Sequence, residues 1–269
     1  MEDEAAMAEF VLVPGFWLGA WAWEDVARGL RAAGHGVHPV TLTGLAERAA
    51  EATPEVDVRT HADDIVRVIE DGGLRDVVLV GHSGACVPVA GAADRVAERI
   101  ARIVYVDTAP LPGDMAVIDF NDPRTQGEWR EQVAKGDGFR LPPPPFDPAP
   151  PFDSLPPFDS SPPFDPATAP DDLAGLTPEH LARLRALSTP QPFATVTQPL
   201  PRPTLPADLP TTVITCTFTP DQARTLAATG NPVFAPLAHM DLRPLPTGHW
   251  PMLSRPSDLA ALLDEIAGG

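Results

Sequence analysis

Short runs of apolar residues alternate along most of the chain with segments whose apolar residues recur every three or four positions. Such short runs are typical of buried strands, and a recurrence at i, i+3 and i+4 is typical of amphipathic helices. The alternation predicts the α/β fold class: a three-layer sandwich built on a mainly parallel six-stranded sheet with helices on both faces. The predicted strands are Phe10 to Val13, Val37 to Leu42, Val77 to Val80, Ile100 to Val106, Thr212 to Thr217 and Leu242 to Leu245.

The helical pattern occupies the segments between these strands and the segment after the last one. Each predicted helix shows an apolar stripe or a run of small apolar residues, which would face the sheet. The positions concerned are Val26, Leu30 and Ala33; Ile65 and Ile69; the stretch Cys86 to Ala97; the stretch Asp221 to Ala228; and Leu259, Leu262, Leu263 and Ile266.

Residues 111–210 break this alternation and contain most of the 35 prolines. We therefore predict an α/β core over residues 8–110 and 211–268, with residues 111–210 inserted as a cap. Within 142–166, Pro-Phe-Asp recurs every six residues, at Phe146, Phe152, Phe158 and Phe164. Polyproline II has three residues per turn, so one interpretation is an apolar strip of four rings lying over a pocket. The other, which we favour, is a low-complexity loop without fixed structure.

One helix is predicted inside the cap. Thr177 is a good N-cap residue, Pro178 suits the first helical turn, and Leu181, Leu184 and Leu187 follow at helical spacing. This helix could form the floor of a lid.

Composition narrows the classes of partner. With 19 basic and 37 acidic residues, the net charge is −18, which disfavours nucleic acid and anionic membrane surfaces as partners.

The two cysteines, Cys86 and Cys216, each follow an apolar run and are interpreted as small buried side chains rather than a disulfide or metal set. The acidic start, Met1 to Glu4, lacks the features of a signal peptide, and no apolar stretch is long enough for a transmembrane helix. We expect a cytoplasmic location.

A candidate nucleophile follows the third predicted strand. Gly81-His82-Ser83-Gly84-Ala85 comes directly after Val77 to Val80 and before a helix of small residues. A Gly-x-Ser-x-small sequence between a strand and a helix places the serine on a sharp turn, where its hydroxyl is exposed. Ser83 is therefore predicted to be the nucleophile.

A serine hydroxyl needs a base, and the base needs an orienting acid. The predicted base is His249, in a Gly- and Pro-containing loop between the last strand and the last helix. The acid has two candidates. Asp107 ends the strand after the serine strand, and Asp221 follows the next strand after three further residues. An aspartate just before a helix more often serves as a cap, which favours Asp107 and keeps Asp221 as the alternative.

The loop after the first strand is predicted to complete the site. An oxyanion hole needs two backbone N–H donors, and the donors predicted here are Gly84, directly after the serine, and Phe16, which follows the permissive Gly15. We expect Trp17 from this loop and Trp250, the neighbour of the base, to face the substrate pocket.

Three segments carry a family resemblance: Phe-Val-Leu-Val-Pro-Gly-Phe-Trp-Leu-Gly-Ala-Trp-Ala-Trp at 10–23, Gly-His-Ser at 81–83, and Gly-His-Trp-Pro-Met-Leu-Ser-Arg-Pro at 248–256. They resemble the α/β-hydrolase superfamily, and within it the branch of plant methyl esterases, hydroxynitrile lyases and bacterial esterase-like relatives. The resemblance covers about residues 8–110 and 210–268.

Four positions depart from the pattern of that branch. Pro14-Gly15 stands where the family usually has His-Gly, and Ala85 replaces the last glycine of the elbow. Thr219 occupies the position at which the methyl esterases carry their acid, which again favours Asp107. A lyase would need a lysine beside the catalytic histidine, where this chain has Trp250, so lyase activity is not expected.

The motifs and the resemblance together predict a serine hydrolase that cleaves a carboxylic ester of a small substrate through an acyl-enzyme, without a metal or cofactor. The aromatic loop after the first strand and the phenylalanines of the cap favour an apolar substrate. Two alternatives stay open. One is a non-hydrolytic enzyme of the same fold, catalysing lactone opening, cyclisation or dehydration. The other is a ligand-binding protein that has kept the fold without the activity. A small molecule is the expected partner, and a homodimer is an open arrangement.

Overall fold

The computed structural model describes residues 7–147, 172–200, 209–231 and 233–268. Its centre is a six-stranded parallel sheet in the order β2-β1-β3-β4-β7-β8. A two-stranded antiparallel ribbon joins β5 and β6. The strands are β1 Glu9–Val13, β2 Gly36–Pro39, β3 Val77–His82, β4 Ile100–Val106, β5 Arg140–Leu141, β6 Gln191–Pro192, β7 Thr211–Thr215 and β8 Asp241–Pro244.

Helices cover both faces of the sheet, and α1 packs on α9 while α2 packs on α3. The predicted α/β sandwich is thus confirmed. The helices are α1 Glu24–Ala32, α2 Val58–Asp71, α3 Cys86–Arg95, α4 Pro123–Lys135, α5 Pro178–Leu187, α6 Ala194–Thr197, α7 Pro220–Ala228, α8 Pro251–Ser254 and α9 Pro256–Gly268.

Two apolar cores form because successive strand residues point to opposite faces of the sheet. In β1, Phe10 and Leu12 belong to the core beneath α1 and α9, whereas Val11 and Val13 belong to the core beneath α2 and α3. Every residue of β3 is buried, as expected for a central parallel strand. This strand ends directly before the candidate nucleophile, so Ser83 follows a fully buried strand.

Strand β4 has its predicted bounds, and the other five predicted strands differ by one to three residues at one or both ends. The largest difference is in β2, which ends at Pro39 rather than Leu42. The Val40 N–H still donates to the Leu12 carbonyl of β1 at 2.9 Å, but proline has no N–H to donate and the regular ladder ends at Pro39. Val40 and Leu42 are still buried in the core, which explains why their pattern resembled a strand.

The segment between β4 and β7 contains α4, β5, α5, β6 and α6. Helix α5 begins at Pro178, with Thr177 accepting the His180 backbone N–H, as its sequence predicted. Helix α4 was not predicted, because its apolar positions are sparse and its N-cap, Asp122, stands among other polar residues. The limits 111–210 for a cap stay a prediction.

The Pro-Phe-Asp repeat is described at its first unit only, and the units around Phe152, Phe158 and Phe164 lie outside the described residues. Phe146 is buried, at 3% exposure, with its ring edge-on to Trp250 at 5.5 Å between centroids. Arg185 of α5 donates to the Phe146 carbonyl and pairs with Asp147. This unit therefore has a defined place against the core. Within the described ranges, no helix has the length and apolar character needed to cross a membrane.

Candidate active site

Ser83 lies on a tight turn between β3 and α3. Its φ of 52° is in the left-handed region, which a residue with a Cβ adopts at a cost in backbone strain. The turn depends on close packing, because a Cβ on Gly81 would lie 2.7 Å from the Val89 side chain of α3. The strand-turn-helix arrangement predicted from the sequence thus brings the hydroxyl to the carboxyl end of the central strand.

Ser83, His249 and Asp107 form one continuous chain of hydrogen bonds. His249 Nε2 lies 2.8 Å from Ser83 Oγ, and His249 Nδ1 lies 2.7 Å from Asp107 Oδ2. The side chains of His249 and Asp107 are 7% and 0% exposed. The carboxylate accepts from Nδ1–H, so Nε2 is left with its lone pair toward the serine hydroxyl. This geometry can take a proton from Ser83.

Asp107 is held by the end of the neighbouring strand. Its Oδ1 accepts the backbone N–H groups of Cys216 and Thr217, at 3.0 and 2.9 Å, and the Thr217 hydroxyl also bonds the carboxylate. Asp107 itself has a φ of 49°, a second strained backbone position in the site. These bonds, together with the one to His249, fix the carboxylate on the side of the imidazole.

Asp107 and His249 shift each other's pKa in opposite directions. Burial on its own lowers the pKa of His249, but the hydrogen bond and charge of Asp107 outweigh it, so the pKa lies above its ordinary 6.5. Burial on its own raises the pKa of Asp107, but the bond from His249 and the amides of Thr217 and Cys216 outweigh it and hold the pKa below its ordinary value. Asp107 is thus a carboxylate throughout the neutral range.

Asp221, the alternative acid, is not brought to the histidine. Its side chain is 95% exposed in the first turn of α7, where it pairs with Arg224 at 3.2 Å. Thr219 caps the same helix by accepting the Gln222 backbone N–H. The chain leaves β7 at Thr215, so both residues lie beyond the strand end that reaches the site.

The loop after β1 forms one wall beside the nucleophile. Phe16 and Gly84, whose backbone N–H groups were predicted to bind the oxyanion, both line the cavity that contains Ser83. The ring of Phe16 lies against Gly84, because a Cβ at that glycine would fall 2.5 Å from it. Trp17 also lines the cavity, and its backbone N–H donates to the buried Gln191 side chain.

The cavity over Ser83 has a volume of about 210 Å³. Trp250 borders it, as do side chains from the segment between β4 and β7 and from the α7 region. The polar side chains on its wall are those of Ser83, Asp107, Thr108, Asn121 and His249. The apolar side chains include Leu111, Val117, Phe120, Trp129, Phe218, Leu226, Val233, Phe234 and Leu237. In the part of the chain that the structure describes, no group of three His, Cys, Asp or Glu residues could hold a metal ion.

His82 supports the base in a way that sequence reasoning missed. Its Nε2 lies 2.7 Å from the backbone carbonyl of His249, and since a carbonyl only accepts, Nε2 carries the proton. Burial lowers the pKa of His82 to about 3, so the ring stays neutral. His249 also donates its backbone N–H to the Asp172 carbonyl at 2.7 Å. These bonds join segments far apart in sequence, so no local signal could have revealed them.

Comparisons with known proteins bear on the family and the fold of the chain. A family model described as the alpha/beta hydrolase family matches residues 10–262. The chain is similar to a carbendazim hydrolyzing esterase of Nocardioides sp. (strain SG-4G), 45% identical over 109 residues, or 40% of this chain and 45% of that one. It is also similar to Methylesterase 7 of Arabidopsis thaliana, 31% identical over 106 residues, or 39% and 41% of the two chains. The chain spans less than half the length of these curated relatives.

Two solved structures share the fold. An extracellular alpha/beta-hydrolase from a Paenibacillus species superposes with a TM-score of 0.73 at 19% identity, covering 96% of this chain and 98% of that one. The methylesterase MES16 from Arabidopsis has a TM-score of 0.62 at 18% identity, covering 97% and 98%. At such identities the likeness shows the fold alone.

Proposed function

We propose that this chain, which belongs to the alpha/beta hydrolase family, is a serine esterase that cleaves a carboxylic ester of a small, apolar molecule. The observation that carries the proposal is the unbroken hydrogen-bonded chain from Asp107 through His249 to Ser83. Local similarity to proteins named as esterases supports the same reaction class.

In the proposed mechanism, Ser83 Oγ attacks the ester carbonyl carbon while its proton passes to His249 Nε2. Asp107 keeps the imidazole in the required tautomer and stabilises the imidazolium that forms. The backbone N–H groups of Phe16 and Gly84 bind the oxygen that becomes negative. The imidazolium then protonates the leaving alcohol, and the C–O bond of the ester breaks to give an acyl-enzyme. Water, deprotonated by His249, then attacks the acyl carbon; the bond to Ser83 Oγ breaks, and the imidazolium returns the proton to that oxygen as the acid leaves.

The cavity supports a small substrate with an apolar body. At about 210 Å³ it is below the roughly 300–1,000 Å³ of common ligand pockets. Two aromatic side chains from the segment between β4 and β7, Phe120 and Trp129, line the cavity, which supports our proposal that residues 111–210 act as a cap. Apolar walls exclude water, and exclusion of water strengthens the electrostatic interactions on which the reaction depends.

A fluorophosphonate probe followed by intact-mass analysis tests the nucleophile. The native chain should gain one adduct and hydrolyse short p-nitrophenyl esters, and Ser83→Ala should lose both. Ser188→Ala is a matched control, because the Ser188 hydroxyl is buried without a hydrogen-bond partner among the described residues and removing it breaks no described bond. Absence of an adduct on the native chain would favour a ligand-binding protein. An adduct without turnover of any ester would favour the non-hydrolytic alternative.

A further inference from the structure

One polar side chain on the cavity wall has no part in the proposed mechanism. Asn121 lies directly before the N-cap of α4, and it lines the cavity that contains Ser83. The residue is 7% exposed. Ser83, Asp107 and His249 bond one another, so Asn121 stands apart from them as a buried amide beside apolar walls.

The backbone of Asn121 is fixed on both sides. Its N–H donates to the Ile118 carbonyl at 3.0 Å, and its carbonyl accepts from Gln126 Nε2 at 2.9 Å. Both partners belong to the described chain immediately around it, one in the preceding 3-10 turn and one in α4. The side chain is therefore presented from a rigid position rather than from a loop free to move away.

The orientation of the amide follows from its neighbours. Nδ2 lies 3.4 Å from the Val117 carbonyl and 3.5 Å from the Ile118 carbonyl, and carbonyls only accept. The nitrogen is thus turned toward the 3-10 turn, which leaves Oδ1 on the other side of the amide. Within the described ranges, Oδ1 has no hydrogen-bond partner. Oδ1 is not among the fully buried side-chain atoms of the described residues that lack a partner, so it keeps accessible surface in a residue that lines the cavity. A ligand that fills the cavity takes this oxygen out of water, and a ligand with a donor gives it a hydrogen bond in return.

We propose that Asn121 Oδ1 determines specificity by accepting a hydrogen bond from the substrate. The substrate class is then a small ester whose apolar body carries one hydroxyl or N–H donor. The inference rests on the proposed esterase function and adds that the substrate carries a hydrogen-bond donor. A substrate without the donor leaves Oδ1 unsatisfied, so the ratio of kcat/KM between matched esters with and without it should be about 10 or more.

The test uses methyl phenylacetate and its three ring-hydroxylated and three ring-amino isomers. For the native chain, at least one substituted isomer should exceed the parent ester in kcat/KM by about tenfold. Asn121→Leu should remove this preference, because leucine has a similar size and no acceptor oxygen. Thr108→Val removes the hydroxyl of another polar wall residue and should retain the preference.

Three results would overturn the inference: no isomer preferred by the native chain, a preference kept by Asn121→Leu, or a preference lost in Thr108→Val instead. A second measurement separates this inference from the esterase proposal. Titration of the same esters into Ser83→Ala, with and without Asn121→Leu, gives Kd values that need no turnover. A donor preference in Kd that disappears with Asn121→Leu supports the Asn121 contact even if the native chain hydrolyses none of the esters.

Discussion

Replacing Asp107 by asparagine keeps the shape of the side chain but changes the proton that His249 carries. The new amide could still accept the Cys216 and Thr217 backbone N–H groups through its oxygen, because Oδ1 makes those bonds in the native chain. Its NH₂ group would then face His249 Nδ1, where the carboxylate Oδ2 now accepts at 2.7 Å. A donor at that place favours the imidazole tautomer with the proton on Nε2. In that tautomer the nitrogen facing Ser83 donates and cannot accept the serine proton.

The expected loss follows from the role of that tautomer. Removal of the carboxylate from a Ser-His-Asp arrangement lowers kcat by about 10⁴ where the geometry is otherwise kept. At about 1.36 kcal/mol per decade this corresponds to about 5 kcal/mol of transition-state stabilisation. Binding of the ester is unchanged in this argument, so KM should move far less than kcat. The pKa of His249 should also fall, because Asp107 is what holds it above 6.5 against the effect of burial.

The assay is steady-state hydrolysis of a p-nitrophenyl ester by Asp107→Asn across the range from about pH 5 to 9, beside the thermal midpoint of each variant. Asp221→Asn is the matched control, since that carboxylate is 95% exposed and pairs only with Arg224 among the described residues. It should keep native turnover. A kcat within tenfold of native for Asp107→Asn, or a large loss for Asp221→Asn, would refute the assignment of the acid.

Three further predictions concern the same site. Gly15→Ala should lower the free energy of unfolding by about 1–3 kcal/mol and also lower kcat, because the new Cβ would lie 2.7 Å from His82 Nδ1. The control is Gly127→Ala, where a Cβ would meet open space; thermal unfolding and turnover assays should show native stability and native kcat for it. For the native chain, kcat/KM should fall with decreasing pH at a midpoint above 6.5, since the pKa of His249 is raised and its protonated form cannot act as a base; a midpoint below 6.5 would contradict this. Phe146→Ala should cost about 3 kcal/mol in denaturant unfolding, because the ring is 3% exposed; an unchanged midpoint would mean that its contact with Trp250 adds nothing.

Some features of the site required no more than local sequence. Strand, turn and helix propensities act over a few residues, so short segments were enough to predict local structure. These segments are the buried run before Ser83, the small residues after it, and the proline- and glycine-containing loop of His249. The alternation of such strands with helices along the chain predicts a parallel sheet. For this reason the α/β class, the parallel sheet and the positions of Ser83 and His249 on it were predictable.

The tertiary structure was needed to decide which aspartate lies beside His249. Sequence spacing allowed both Asp107 and Asp221, since each follows a strand whose end meets the same edge. Only the structure shows that β7 ends at Thr215 and that the chain just beyond it presents two N–H groups to Asp107, while the next turn carries Asp221 out to solvent. Such contacts join residues far apart along the chain, as between Asp107 and Cys216, which are 109 positions apart.

The sequence by itself therefore determined the fold class and the place of Ser83 on the turn between β3 and α3, because hydrophobic periodicity and turn chemistry are local properties of the chain. Only the tertiary structure showed which carboxylate reaches the imidazole of His249. It also showed that His82 donates a hydrogen bond to the His249 carbonyl and that Asn121 lines the cavity. The physical reason is that hydrogen bonds and burial depend on the distance between side chains, and distant segments acquire those distances only when the sheet and its helices pack.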